Sequence, residues 1–253
     1  MKALFFSAPA VLALAFVTSA RADDDVKSVL EQAVKAHGGL ENLSKHKDHG
    51  VIQKGKMHLS IMGMELDGTM EISASDEKFK QDFQFSIMGQ DISQTVGFDG
   101  KQLWIAVNGK VVMAVDKKED LDVIKEAIFA ERAVSLALLG DKSIELSIIG
   151  EDKVGDTPVI GVRVSKKGHK DVSIYFDKAT HLLKKTQFRG VDFQSRAEVE
   201  EEHIMDDYKD IGGEMQPMRV TVNKEGKKFV EIEFTEIKYV DKFEDSVFAK
   251  PKE

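Results

Sequence analysis

Histidine and carboxylate side chains are the groups in this sequence that could bind a metal or act in catalysis. Their spacing gives little indication of either. His46, Asp48 and His49 form the tightest cluster of metal-ligand types, but they lie in a polar stretch where no helix or strand would fix them. His203 follows three glutamates in a charge run that is typical of the solvent face of a long strand. We therefore predict no metal site and no bound cofactor.

Short catalytic motifs are missing as well. The sequence contains no H-E-x-x-H, G-x-S-x-G, Walker A or G-x-G-x-x-G pattern. It has no Cys, which excludes disulfides, cysteine-ligated zinc, iron–sulfur clusters and thiol nucleophiles. Carboxylates are abundant, so a glycosidase-like carboxylate pair stays open as an alternative, because sequence spacing cannot measure the separation that it needs. We predict that the protein is not an enzyme.

The charge balance bears on possible partners. Lys and Arg total 36 against 44 Asp and Glu, which gives a formal net charge of −8. Nucleic-acid binders carry a basic surplus that neutralises phosphates, and this chain has the opposite balance. We predict that nucleic acid is not a partner.

The apolar residues are unusually rich in methionine and phenylalanine. Ten Met and fifteen Phe stand beside a single Trp. Thioether chains repack at low cost, so they suit a surface that accepts a flexible apolar guest, although an ordinary core is the alternative interpretation. A lipid chain gains about 0.8 kcal/mol per buried CH₂, so an apolar slot could hold one acyl chain. Five methionines lie on or beside the first predicted strands: Met57, Met62, Met64, Met70 and Met88.

The first 22 residues are typical of a cleavable secretory signal peptide. Met1 and Lys2 form a short basic start, residues 4–17 are almost wholly apolar, and Ala20-Arg21-Ala22 is a small-x-small cleavage site. The apolar run is shorter than the roughly 18–20 residues that span a bilayer as a helix. We predict a signal peptide over 1–22, one domain over 23–253 and, in a Gram-negative bacterium, a periplasmic location.

Hydrophobic periodicity predicts two helices and about eleven strands. Apolar residues recur at helical spacing over 26–36 and over 117–140. From Gly50 onward apolar and polar residues alternate, most clearly over 78–88, and turn signals such as Asn108-Gly109 separate short strands. No linker divides the chain. We therefore predict one mainly β domain of the α+β class, in which a curved antiparallel sheet carries the helices on its concave side.

Short motifs recur in a definite order along the chain, from about residue 26 to 251. They are Ala36-His37-Gly38-Gly39 at the end of the first predicted helix; Asp99-Gly100 before Trp104; Asp177, Thr180 and Leu182 in a D-x-x-T-x-L turn; Tyr208, Gly212, Gly213 and Pro217 in a Y-x-x-x-G-G-x-x-x-P stretch; and Asp245, Phe248 and Pro251 near the end.

In this order the motifs resemble those of the LolA-like family of periplasmic lipoprotein carriers, which includes outer-membrane lipoprotein-sorting proteins. The resemblance implies an incomplete β-barrel of about eleven strands with a helical lid. It also implies an apolar cavity that receives lipoprotein acyl chains, and no catalytic residues.

The sequence and the resemblance together predict a periplasmic carrier that holds lipid or lipoprotein acyl chains. Membrane-anchored proteins are a further class of partner. The alternatives are an envelope-stress sensor or structural protein with the same fold, and a carboxylate-based enzyme. The predicted sheet side of the lipid site consists of Phe79, Phe83, Phe85, Ile87, Trp104 and Met113, and the predicted lid consists of Ile124, Ile128, Leu136 and Leu139.

Overall fold

A computed structural model of the protein describes residues 18–45, 49–61, 63–75, 77–134, 136, 141–192 and 196–251. Residues 1–17 of the predicted signal peptide lie outside these ranges, as does Leu139 of the predicted lid. Cleavage after Ala22 therefore stays a prediction. Within the described ranges, none of the helices is both long and apolar enough to cross a bilayer.

The described residues form three α-helices, one short 3-10 helix and thirteen strands. The helices are α1 Thr18–Ala36, α2 Gly39–Lys45 and α3 Lys118–Ala133, and the 3-10 helix is Asp245–Val247. The strands are β1 Gly50–Ile61, β2 Met64–Ser75, β3 Lys78–Ile87, β4 Gln90–Phe98, β5 Leu103–Val107, β6 Lys110–Val115, β7 Ile144–Val154, β8 Thr157–Lys166, β9 Val172–Asp177, β10 Leu183–Val191, β11 Glu198–Ile211, β12 Glu214–Lys224 and β13 Lys227–Val240.

All thirteen strands belong to one sheet, in the order β6-β5-β4-β3-β2-β1-β13-β12-β11-β10-β9-β8-β7. Each half of the chain forms a meander, and the first strand pairs with the last in the middle of the sheet. The two edges are β6 and β7, and α3 connects them. This arrangement confirms the predicted curved antiparallel sheet that stops short of a closed barrel.

The sheet has thirteen strands where about eleven were predicted. Strand β7 is an edge strand with a register shift between Ile148 and Gly150. Such a shift interrupts the alternation that identifies a strand in the sequence. The second predicted helix is confirmed as α3, which ends at Ala133.

The helices lie on one face of the sheet, which we call the inner face. Helix α3 packs Ile124 against Phe98 and Leu103, with Phe79 beside them. Its other end buries Ala130 and Ala133 in a second cluster, which it shares with α1 and with the strands β8 to β11. Helix α3 therefore connects the two halves of the sheet across the gap between their edges.

His37 lies where three of the sequence motifs meet. Its Nδ1 lies 2.8 Å from the carbonyl oxygen of Ala33, and the N–H of Leu183 donates to its Nε2 at 3.3 Å. The ring packs edge-on against Tyr208, whose hydroxyl donates to the carbonyl of Leu183. These contacts thus join three motifs in one structural junction: the motif at the end of α1, the motif in the β9–β10 turn and the motif before the β11–β12 turn. Their role is to hold the helices on the sheet.

Burial lowers the pKa of His37 below its ordinary value of 6.5, against the opposing influence of the Ala33 carbonyl and Glu214. A lowered pKa means that the unfolded chain takes up a proton first, so this stabilisation is present above pH 6.5 and is lost as the pH falls. Protonation would also remove the acceptor for the Leu183 N–H.

We expect His37→Gln to abolish this part of the pH dependence, because the glutamine amide reaches a similar position and does not titrate. Urea unfolding at pH 8, 6.5 and 5 should show the stability of the variant improving relative to the unmodified protein as the pH falls. His58 and His203, whose pKa values are raised, titrate in both proteins and cancel in the difference. A constant difference between the two proteins over this range would contradict the prediction.

A second junction lies on the opposite, outer face. The Nε1–H of Trp104 donates to the carbonyl oxygen of Phe248 at 2.9 Å, and Lys78 Nζ lies 2.8 Å from Asp245 Oδ1. The ring of Trp104 covers Gly97, where a Cβ would lie 2.3 Å from the indole. The last motif of the resemblance thus fastens the C-terminal segment over strands β3 to β5.

Candidate functional site

A third apolar cluster lies on the inner face beyond the reach of the helices, and we call it the distal patch. Among the described residues, it is built only from strands β1, β2, β3, β12 and β13. Its buried members are Met57, Met70, Val222 and Val230, and its partly buried members are Leu59, Ile72, Phe83, Phe85, Val220, Phe229, Ile232 and Phe234.

Strand register places these side chains in rows across five strands. Phe85 pairs with Gly68, Gly68 with Met57, Met57 with Ile232 and Ile232 with Val220. Side chains at paired positions lie on the same face, so the row from β3 to β12 is apolar at every position that carries a side chain. Gly68 makes room for the aromatic ring: a Cβ there would lie 2.7 Å from Cδ1 of Phe85.

Aromatic rings cover the sulfur-containing side chains of the patch. The rings of Phe83 and Phe85 stack at a centroid distance of 6.4 Å with 22° between their planes, and both remain partly exposed while they pack against the buried Met57 and Met70. Because the covering groups are side chains rather than a helix, rotation about their χ angles would open the patch without a change of backbone. Such a surface can accept an apolar guest by repacking.

The predicted sheet residues separate into four places. Phe83 and Phe85 belong to the distal patch, and Ile87 is partly exposed at the end of the same strand. Phe79 packs under α3. Trp104 lies on the outer face, since it is the neighbour of Leu103 and successive strand residues point to opposite faces. Met113, on the edge strand β6, is 37% exposed.

The predicted lid residues pack directly onto the sheet. Ile124 and Ile128 join Phe79 in the cluster under α3, and Leu136 is buried in the cluster that α3 shares with α1. The cavities beside α3 measure about 110 and 270 Å³. Helix α3 thus fills the inner face where it lies, and the open apolar surface is the distal patch.

Polar contacts hold α3 in this position. The buried Asp120 forms an ion pair with Arg196 in the β10–β11 turn. Glu126 lies 2.9 Å from Nδ1 of His169 and accepts the N–H of Lys170 at 3.1 Å. These contacts fasten α3 to the β7–β11 half of the sheet, so a lid motion of α3 would have to break them.

Strands β1 to β4 also border an open groove of about 730 Å³. Lys56, Thr69, Gln84 and Ser93 pair across strands β1 to β4 and alternate with the apolar row, so their side chains are outward. The lining combines these polar side chains with Met57 and Phe85, so the groove is of mixed polarity. Within the described part of the chain, groups of three or more His, Asp or Glu suited to a metal are lacking.

Most residues of the distal patch were not among the predicted site residues. The strands β12 and β13 contribute half of the patch, and Phe229, Ile232 and Phe234 are its bulkiest members there. Alternating residues over 229–239 identify a strand, but they do not say that it pairs with β1. The methionine-rich first strands were the available signal, and Met57 and Met70 do lie in the patch.

Comparisons with known proteins support the fold. No protein-family model and no curated protein matches the sequence. A LolA superfamily protein from Nitrosomonas europaea is 12% identical, with a TM-score of 0.52 over 89% of this chain and 97% of that one. A DUF1329 family protein from Desulfovibrio piger is 13% identical, with a TM-score of 0.53 over 88% of this chain and 97% of that one. The chain therefore has a LolA-like fold, as its ordered motifs predict.

Proposed function

We propose that this protein is a periplasmic carrier that holds an acyl chain of a lipid or lipoprotein against the distal patch. The observation that carries the proposal is the apolar row from Phe85 to Val220, which lies on the helix-bearing face and is not covered by a helix in the described structure. Five adjacent strands about 4.8 Å apart span roughly 19 Å. An acyl chain in one leaflet spans about half of the ~30 Å hydrocarbon core, so the lengths agree.

The energetics of such a complex are favourable. Removing about ten CH₂ groups from water contributes on the order of 8 kcal/mol before the entropy of binding is counted. Phe83 and Phe85 would turn aside and then cover the chain, and their rings would remain in apolar contact in both states. Release would require the reverse rotation and an apolar acceptor for the chain, because exposing it to water would cost the free energy gained on binding.

Substitution of Phe85 tests the proposal. We expect Phe85→Gln to weaken binding of a fluorescent fatty acid about tenfold or more, because a buried aromatic contact is lost and an amide enters the patch. Titration of the purified protein, followed by native mass spectrometry, measures the affinity and the stoichiometry.

Gln84→Ala is the matched control, since Gln84 is the next residue on the same strand and points to the outer face. It should bind the probe like the unmodified protein. Equal affinities in Phe85→Gln and the unmodified protein, together with protein that leaves the cell envelope free of acyl species, would overturn the proposal. Acyl species recovered with an attached peptide would identify lipoproteins as the source of the chain, and free lipids would identify membrane lipids.

The proposed location follows from the predicted signal peptide. Export through residues 1–22 would give a protein that begins at Asp23. N-terminal sequencing of the protein from the periplasmic fraction of a Gram-negative host tests this, and recovery of uncleaved protein from the cytoplasm would contradict it.

A further inference from the structure

Two neighbouring hairpin tips share one sequence. Ser-Ile-Met-Gly occurs at 60–63, in the β1–β2 turn, and again at 86–89, in the β3–β4 turn. Strand β2 pairs with both β1 and β3, and both turns lie at the end where β2 begins. The described residues of the repeated sequence, which exclude Met62, thus lie at two adjacent hairpin tips at one end of the sheet.

Met88 stands in a backbone conformation that methionine disfavours. Met88 and Gly89 have φ values of 52° and 77°, close to the 48° and 76° of Asn108 and Gly109 in the next hairpin along the chain. Two consecutive residues with positive φ form the type I′ turn, for which Asn-Gly is the preferred pair. Asn108-Gly109 meets this preference and Met88-Gly89 does not.

Packing within the protein does not account for methionine at this place. The side chain of Met88 is 99% exposed, and that of Met64 at the adjacent tip is 51% exposed. A residue that is strained in the backbone and has its apolar side chain in water points to a contact outside the chain.

We propose that these two hairpin tips insert into the headgroup layer of a bilayer of zwitterionic lipids. Two short turns are too small for a stable protein–protein interface, which buries roughly 1,200 Å² or more in total, whereas a few apolar side chains suffice for interfacial insertion. Residues 60–64 and 86–90 contain no Lys or Arg, and the chain carries a net charge of −8. Attraction to anionic lipids is therefore not the driving force.

This inference rests on the proposed function and adds a path by which an acyl chain would reach the distal patch. Phe85 and Ile87 both point to the inner face of β3, so apolar side chains continue from the distal patch toward the β3–β4 tip. An acyl chain that leaves a bilayer at the inserted tips would enter the patch along this strand without crossing water.

The test compares Met88→Asn with the unmodified protein in flotation with phosphatidylcholine vesicles. We expect the variant to partition about tenfold less, since one buried Met side chain is lost from the lipid phase. We also expect its thermal midpoint to rise by about 2 °C or more, because Asn suits the turn. The partition of the unmodified protein should change little with salt.

Val112→Asn is the control, since Val112 is 63% exposed on the edge strand β6 and lies outside the two tips. It should partition like the unmodified protein. Equal partition of Met88→Asn and the unmodified protein, or no binding of the unmodified protein to neutral vesicles, would overturn the inference.

Fatty-acid titration without vesicles separates the two proposals. Met88→Asn should bind the soluble probe normally. A protein that partitions to vesicles through Met88 and binds no fatty acid would refute the carrier function and leave the membrane contact standing.

Discussion

Gly38→Ala should be the most destabilising single substitution of those considered, with a loss of more than about 4 kcal/mol in the free energy of unfolding. Gly38 has a φ of 111°, and a Cβ at this position would lie 1.9 Å from the carbonyl oxygen of Gly213. The obstructing atom belongs to backbone, which cannot move aside as a flexible side chain does. The substitution therefore separates α1 and α2 from the β11–β12 turn. Urea unfolding followed by circular dichroism measures the loss.

The adjacent glycine supplies the control. Gly39 also has a positive φ, 85°, but a Cβ there meets nothing within 4 Å. Gly39→Ala should therefore carry only the strain of the left-handed conformation, about 1–2 kcal/mol. If the two variants unfolded at the same urea concentration, close packing of Gly38 on Gly213 would not be what stabilises this junction.

Trp104→Ala should produce the second-largest effect, a loss of about 3–5 kcal/mol, which is typical of removing a buried aromatic side chain. Trp104 is among the largest fully buried side chains, and it connects strand β5 with the C-terminal segment through Phe248. Without the indole, Gly97 loses the ring that covers it. Thermal unfolding followed by far-UV circular dichroism is the measurement, because the variant has no tryptophan left.

Trp104→Phe separates the contribution of aromatic packing from that of the indole hydrogen bond. It retains an aromatic ring but leaves the buried carbonyl of Phe248 without the indole N–H, which costs about 1–3 kcal/mol. Val112→Ala on the exposed part of β6 should be nearly neutral. A Trp104→Phe variant as unstable as Trp104→Ala would mean that the hydrogen bond, rather than the packing, secures the C-terminal segment.

Local patterns in the sequence predicted much of this fold because the physical causes are local. The alternation over 78–88 places Phe79, Phe83 and Phe85 on one face, and the structure confirms a strand there. Glycines with positive φ mark the turns, and His37-Gly38-Gly39 follows α1 as the motif predicts.

The parts that the sequence could not predict depend on distant residues. The packing of α3 decides which stretch of the inner face stays open. This packing depends on distant residues, because Ile124 contacts Phe98 and Leu103 only in the folded sheet. The distal patch depends on pairs such as Met57 with Ile232, which lie far apart in the chain. Alternation shows that Trp104 and Leu103 point to opposite faces, but it does not show that the C-terminal segment returns to Trp104, whose indole N–H donates to the carbonyl of Phe248.

The pairing of the first strand with the last has a consequence for biogenesis. Strand β1 can pair with β2 as soon as both have been made, but its other edge must wait for β13, which is the last of the described strands along the chain. Folding with such distant partners is slow, and an unpaired edge readily recruits strands of other chains. A chain in which β13 has not yet formed therefore exposes an unpaired edge of β1, and a chaperone or a translocation pore would keep that edge from pairing with other chains.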